Sequence, residues 1–270
     1  MEIIAYVASV FIGISLGLIG GGGSILTVPV LVYLFGISPL VSTSYSLFIV
    51  GSTSLVGAYH NYRKGSVKIK MALLFGSTSI TTVFLTRKFL IPLIPKDLFK
   101  IAGFQITEPL LTMLLFAVLM VAASVGMIRS KETKPGCLEC DLKANIIKML
   151  LSGIGIGLTT GILGAGGGFL LIPTLVLILG MPMREAVGTS LLIIALNSLI
   201  GFAGDLGHFV IDWLFLLKIT AIAMVGILIG GAVAKRVNAA YLKKGFGWFV
   251  LFMGIYIISK ELIGMSFLMR

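Results

Sequence analysis

The sequence predicts an all-α, polytopic membrane protein: two inverted-topology repeats whose Gly-interrupted short helices meet at the bilayer midplane. Three observations predict it. Hydrophobic residues make up 58% of the chain and charged residues 11%, against roughly 25% charged in soluble domains. Two glycine-rich stretches, Gly20-Gly21-Gly22-Gly23-Ser24 and Gly164-Ala165-Gly166-Gly167-Gly168, each break an apolar run, and the prolines that follow them, Pro29 and Pro173, stand 144 residues apart. Lys and Arg gather in short loops between apolar runs, a pattern that encodes membrane topology rather than nucleic-acid binding, despite a net charge of +11.

Along the chain, apolar segments fall at 3–19, 24–35, 40–60, 68–86 and 108–128, then at 146–163, 167–179, 186–204, 212–233 and 246–263. Most reach the roughly 17 to 25 residues that a spanning helix needs. The first follows Glu2 rather than a basic stretch, so it reads as a retained helix and not a signal peptide. The segments 24–35 and 167–179 are too short to span, because a helix rises only about 1.5 Å per residue. Each is expected to reach the midplane and stop. The stretch 87–107, with Pro92 and Pro95, reads as a long, ordered external connection. The domain reading is a first repeat over 1–128, a cytoplasmic loop over 129–145 and a second repeat over 146–270.

Further matches support duplication. Leu34-Phe35-Gly36-Ile37-Ser38-Pro39 answers Ile178-Leu179-Gly180-Met181-Pro182 with one residue fewer, and Thr43-Ser44 answers Thr189-Ser190 at an offset of 146. Charge decides the relation between halves. If each glycine-broken pair enters and leaves on one face, the halves are inverted and one face collects 14 of the 21 Lys and Arg, with Arg87 and Lys88 among the few opposite. Parallel halves would leave no bias. The positive-inside rule therefore selects inversion, with both termini outside.

Unwound glycines at membrane depth are tolerated only inside protein or beside water. Paired broken helices are the sequence mark of a secondary transporter's central site. Helix N-termini aimed there offer amides and partial positive charge, an anion site that needs no arginine. Ser24 is expected to cap the short helix, with Gly168 at the comparable place. Acids are nearly absent from the spans, and Asp205 lies at an edge; this favours an anion over a cation. The expected substrate-binding set is Gly20, Gly21, Gly22, Gly23, Ser24, Thr43, Ser44, Gly164, Gly166, Gly167, Gly168, Thr189, Ser190 and Asn197. The glycines also suit plain helix packing, and the hydroxyls plain helix-to-helix bonds.

His60 and His208 are candidates for proton coupling, against a reading as ordinary interfacial histidines. Cys137 and Cys140 form the only cysteine pair, in the central loop. No further ligands stand near enough in sequence for a structural zinc, so the pair reads as a redox or substrate contact, or as a tolerated surface pair. No cofactor and no metal are expected, and no ATP-binding motif is present.

The glycine motif to Pro29, its copy from Gly161 to Pro173, the phrase Gly188-Thr189-Ser190-Leu191-Leu192 through Asn197-Ser198-Leu199, and Gly207-His208 with Asp212-Trp213 together resemble the TauE/SafE (TSUP) sulfite exporter family. The first half has Ser66 and Lys68 in place of a second Gly-His and Asp-Trp. The resemblance implies a non-enzymatic permease of the bacterial inner membrane. It would move sulfite, organosulfonates or related small sulfur-containing anions, outward, by alternating access, with H+ or Na+ as coupling ion. An anion channel and a membrane thiol protein are the alternatives.

Overall fold

The computed structural model describes residues 2–21, 23–93, 97–101, 104–129, 142–164, 166–208, 210–234 and 239–267. Gly22, Cys137 and Cys140 lie outside them. The chain is helical almost throughout: α1 (Glu2–Ile19), α2 (Ser24–Tyr33), α3 (Pro39–Tyr62), α4 (Ile69–Leu85), the short α5 (Ile91–Leu93), α6 (Glu108–Arg129), α7 (Leu142–Leu163), α8 (Gly168–Pro173), α9 (Met183–Asp205), α10 (Trp213–Val233) and α11 (Ala239–Phe267). Among the described residues, the helices over Pro39–Tyr62, Ile69–Leu90, Met183–Asp205 and Trp213–Val233 are long and apolar enough to cross a bilayer. The chain is a polytopic membrane protein.

The expected segments coincide with helices. The departure is at 87–107: α4 runs on as a π-helical turn over Thr86–Leu90, and an antiparallel hairpin of β1 (Asp97–Ile101) and β2 (Phe104–Thr107) follows. A π turn appears again over Thr174–Ile178, directly after Pro173. Proline supplies no amide to the helix ladder, and a widened turn is one way the backbone accommodates that loss.

Local backbone repeats at a constant interval. Gly20 N donates to Leu16 O as Gly164 N does to Thr160 O, and Leu26 N to Gly23 O as Leu170 N to Gly167 O. Ile37 N donates to Leu31 O as Met181 N to Leu175 O, and Ser42 N to Ser38 O as Ala186 N to Pro182 O. Every pair is offset by 144. The residue deletion and the offset of 146 expected from Thr43-Ser44 are therefore incorrect: the hydrogen-bonded frame sets Thr43 opposite Val187, not Thr189. Small polar residues recur by chance, whereas turn geometry does not slip.

Packing joins the halves. α3 and α9 lie side by side and antiparallel, with Gly188 against Ser66 and Asn61, Gly51 against Leu199, and Gly201 against Leu47. α1 packs along α10 and α7 along α4, so each half lends its fourth helix to the other. Gly13 and Gly17 of α1 meet Gly226 and Gly230 of α10 backbone to backbone, while Gly153 and Gly157 of α7 meet Thr78 and Thr82 of α4, and Gly161 meets Thr86 of the turn that continues it. Small residues four apart let helix axes approach closely, which is how helices associate where lipid offers no hydrophobic drive. At the end of the α3–α9 pair where α10 begins, Trp213 stands edge-on to both Phe48 and Phe202, which tilt against each other, and Asp212 caps α10 by accepting from Phe215 N at 3.0 Å.

A Cβ on Gly226 would press into the carbonyl of Val10 and stand 3.0 Å from the Cα of Gly13. Gly226→Val should therefore destabilise the protein by about 1–3 kcal/mol. Gly126→Ala, where nothing lies within 4 Å, should change stability by less than about 0.5 kcal/mol. Thermal unfolding of the purified protein in detergent separates the two.

Candidate functional site

The two glycine breaks touch each other. A Cβ on Gly21 would stand 2.5 Å from Gly168 O, and one on Gly168 would stand 2.6 Å from Gly21 O. Their surroundings follow the same plan. Gly20 leaves α1 in the left-handed region (φ 75°) against Val187, and Gly164 leaves α7 likewise (φ 65°) against Thr43. Gly166, also left-handed at φ 66°, lies against Val50 and Ser198 near the middle of the α3–α9 pair, where a Cβ would stand 2.8 Å from Ser198 Oγ. Gly167 lies against Thr160. Gly20 and Gly164 would bring a side chain into both an unfavourable φ and a neighbouring backbone, Gly166 and Gly167 into an unfavourable φ and tight side chains, and Gly21 and Gly168 into each other's backbone. Close packing thus accounts for the glycines by itself.

Packing does not account for the polar groups. Ser24, Thr27, Ser42, Thr43, Ser44, Ser46, Thr53, Ser54, Thr160, Thr189, Ser190, Asn197 and Ser198 are all buried. Some are spoken for. Ser24 Oγ donates to Gly21 O at 2.7 Å and Thr27 Oγ1 to Gly23 O at 3.3 Å; Ser190 Oγ donates to Gly20 O at 2.8 Å, tying the first break to α9. Thr189 Oγ1 accepts from Lys68 N at 3.0 Å, and Asn197 Nδ2 donates to Ser79 Oγ at 2.6 Å. Others are not: Ser46 Oγ, Ser54 Oγ, Thr160 Oγ1, Ser198 Oγ and Asn197 Oδ1 have no hydrogen-bond partner among the described residues. Leaving a buried polar atom unsatisfied costs about 1–3 kcal/mol, and two of these, Ser198 Oγ and Thr160 Oγ1, stand against Gly166 and Gly167, which gives the second break the character of a site.

Several expectations change. Ser24 is the first residue of α2, not its cap: Gly23 holds the cap position without a side-chain bond. Gly23 packs on Ile12 and Leu16 of α1 rather than toward Gly168. His60 is half-buried near the end of α3, and His208 is exposed on the turn after α9. The larger omission is Arg87. Counted as a loop charge, it is 1% exposed, and Asp205, placed at an edge, is 2% exposed. Arg87 Nη1 donates to Asp205 Oδ2 at 3.0 Å and to Thr43 Oγ1 at 3.2 Å. The signal for burial was absent from the local sequence, because Arg87 ends an apolar run beside Lys88 and its partner lies 118 residues away. No cluster of His, Cys, Asp and Glu able to hold a metal occurs among the described residues.

The model of the family "Sulfite exporter TauE/SafE" matches residues 5–257. A probable membrane transporter protein of Xylella fastidiosa (strain 9a5c) is 29% identical over 257 residues, 93% of this chain and 92% of its own. The probable membrane transporter protein YdhB of Bacillus subtilis (strain 168) is 28% identical over 235 residues, covering 86% and 90% of the two chains. A probable membrane transporter protein of Methanocaldococcus jannaschii is 33% identical over 130 residues, 46% of this chain and 49% of its own. No solved structure matches the chain. With the family model spanning nearly its whole length, from α1 well into α11, this chain belongs to the sulfite exporter TauE/SafE family.

Proposed function

We propose that the protein is a secondary transporter that exports small sulfur-containing anions, sulfite or organosulfonates, by alternating access. The Ser198 and Thr160 hydroxyls, which lie against Gly166 and Gly167 and have no hydrogen-bond partner among the described residues, carry this reading. The substrate would rest among Gly20, Gly21, Gly164, Gly166, Gly168, Ser46, Ser198 and Asn197, its oxygens meeting backbone amides at the helix breaks. The name of the matched family supports the substrate class, and the relatives' names support membrane transport.

Inverted halves are supported by the antiparallel run of α3 against α9 and by the exchange of α4 and α10. That exchange refines the motion. The bodies that rock would be α1, α2, α3 and α10 against α7, α8, α9 and α4, hinged along the α3–α9 seam. The setting would be the bacterial inner membrane, with the 129–145 connection in the cytoplasm and H+ or Na+ as the coupling ion.

Purified protein in liposomes should show counterflow of labelled sulfite or sulfoacetate; flux without exchange stimulation would mark a channel and overturn the carrier reading. Gly166→Leu should reduce that flux by about 100-fold or more while the protein still inserts, since a side chain there meets Ser198 and a left-handed backbone. Replacing Cys137 and Cys140 by serine should leave counterflow within about twofold of wild type, because this reading gives the thiols no part in transport and most substitutions outside a site perturb little. Loss of all flux in that variant would move the function to the thiols.

A further inference from the structure

The plan of the two halves repeats, but its side chains do not, and the difference collects at one end of the α3–α9 pair. At the constant offset, Arg87 stands where the second half has Gly231, Thr43 where it has Val187, and Asp205 where the first half has Asn61. Ser190 donates to the carbonyl of Gly20, whereas its counterpart Ser46 has no partner among the described residues. One break is closed by packing and a hydrogen bond. The other has a buried cation against it, and the serine equivalent to Ser190 has no partner among the described residues.

The bonding of Arg87 is incomplete in a specific way. Nη1 is engaged by Asp205 and Thr43, while Nε and Nη2 have no hydrogen-bond partner among the described residues. These two nitrogens form the side edge of the guanidinium, whose parallel N–H groups match two oxygens of one oxyanion. Nη2 lies at the Gly164 break, 2.6 Å from where a Cβ would be, so the edge sits beside backbone that glycine keeps bare. A buried ion pair is weak evidence for stability by itself, since desolvation offsets its attraction. An arginine held by one nitrogen with its bidentate edge vacant is arranged for a ligand.

We propose that Arg87 is the charge-recognising residue of the anion site, its Nε–Nη2 edge taking two oxygens of a sulfite or sulfonate group at the Gly164 break. Thr43 and Asp205 are positioning residues that hold Nη1 so that the edge faces the break, and Ser46, one helical turn beyond Thr43, supplies a further donor. This deepens the transport reading by naming the oxyanion's contact. It also sets a charge problem: Asp205 already balances the guanidinium, so an arriving anion needs a compensating cation, and the pair is where coupling would act. The recognised class is an oxyanion with two coplanar oxygens, not a halide.

Arg87→Lys keeps a cation beside Asp205 and removes the edge. In thermal-shift titrations of purified protein with sulfite, sulfoacetate and chloride, the wild type should bind the two oxyanions, and R87K should bind them about tenfold or more weakly with reduced preference over chloride, a point charge lacking the fork. Oxyanion binding unchanged in R87K, or no oxyanion binding by the wild type, overturns the proposal. Should R87K not purify as a single species, Asp205→Asn decides: the unbalanced guanidinium should bind sulfite more tightly than wild type, and equal or weaker binding overturns it. Wild-type binding without counterflow in liposomes would sink the transport reading alone and leave the arginine site standing.

Discussion

Backbone polar groups in hydrocarbon must find partners inside the protein, at a cost of several kcal/mol for each one left bare. Two interruptions at the ends of α1 and α7 place such groups in the interior, and much of the rest of the architecture follows from sealing them. Gly20 and Gly164 turn the chain through the left-handed region, Gly21 and Gly168 press together, and α3 with α9 lies across the contact. Ser24, Thr27 and Ser190 return hydroxyls to the carbonyls of Gly21, Gly23 and Gly20. The short helices can stop midway only because this collar exists.

The same sealing explains the exchange of helices. α1 and α7 must lie close to something narrow, and they find it in α10 and α4, whose Gly226, Gly230, Ser79 and Thr82 admit close approach. Glycine against glycine on one side and glycine against threonine on the other give similar separations with different chemistry. Where the paired surfaces are apolar, shape is all that matters. Where threonine, serine and arginine enter, polar atoms are brought into a dry interior, and some remain without partners.

The asymmetry between the two ends of α3 and α9 is therefore chemical rather than architectural. One end is tied by the exposed Lys68–Glu185 pair at 3.2 Å and the bond from Lys68 N to Thr189; a pair so exposed contributes little energy. The other end buries the Arg87–Asp205 pair, at 3.0 Å. A permeating ion would meet different surroundings on its way in and out, which a strictly symmetric pair of half-sites would not offer.

Helix positions, the two breaks and the duplication were legible because each rests on short-range rules: apolar run length, glycine and proline placement, and charge in loops. Those rules determined the architecture as far as one chain segment can. The register between halves was misread because Thr43-Ser44 and Thr189-Ser190 look alike in letters, while the turn hydrogen bonds align Thr43 with Val187. Ser24 misleads in the same way: its residue type suits a cap, but it stands one residue past Gly23, which holds the cap position. Tertiary structure alone decided that Arg87 is interior, because burial of a charge depends on a carboxylate 118 residues away and on a glycine that leaves room for the guanidinium. No local pattern encodes a contact made across three helices.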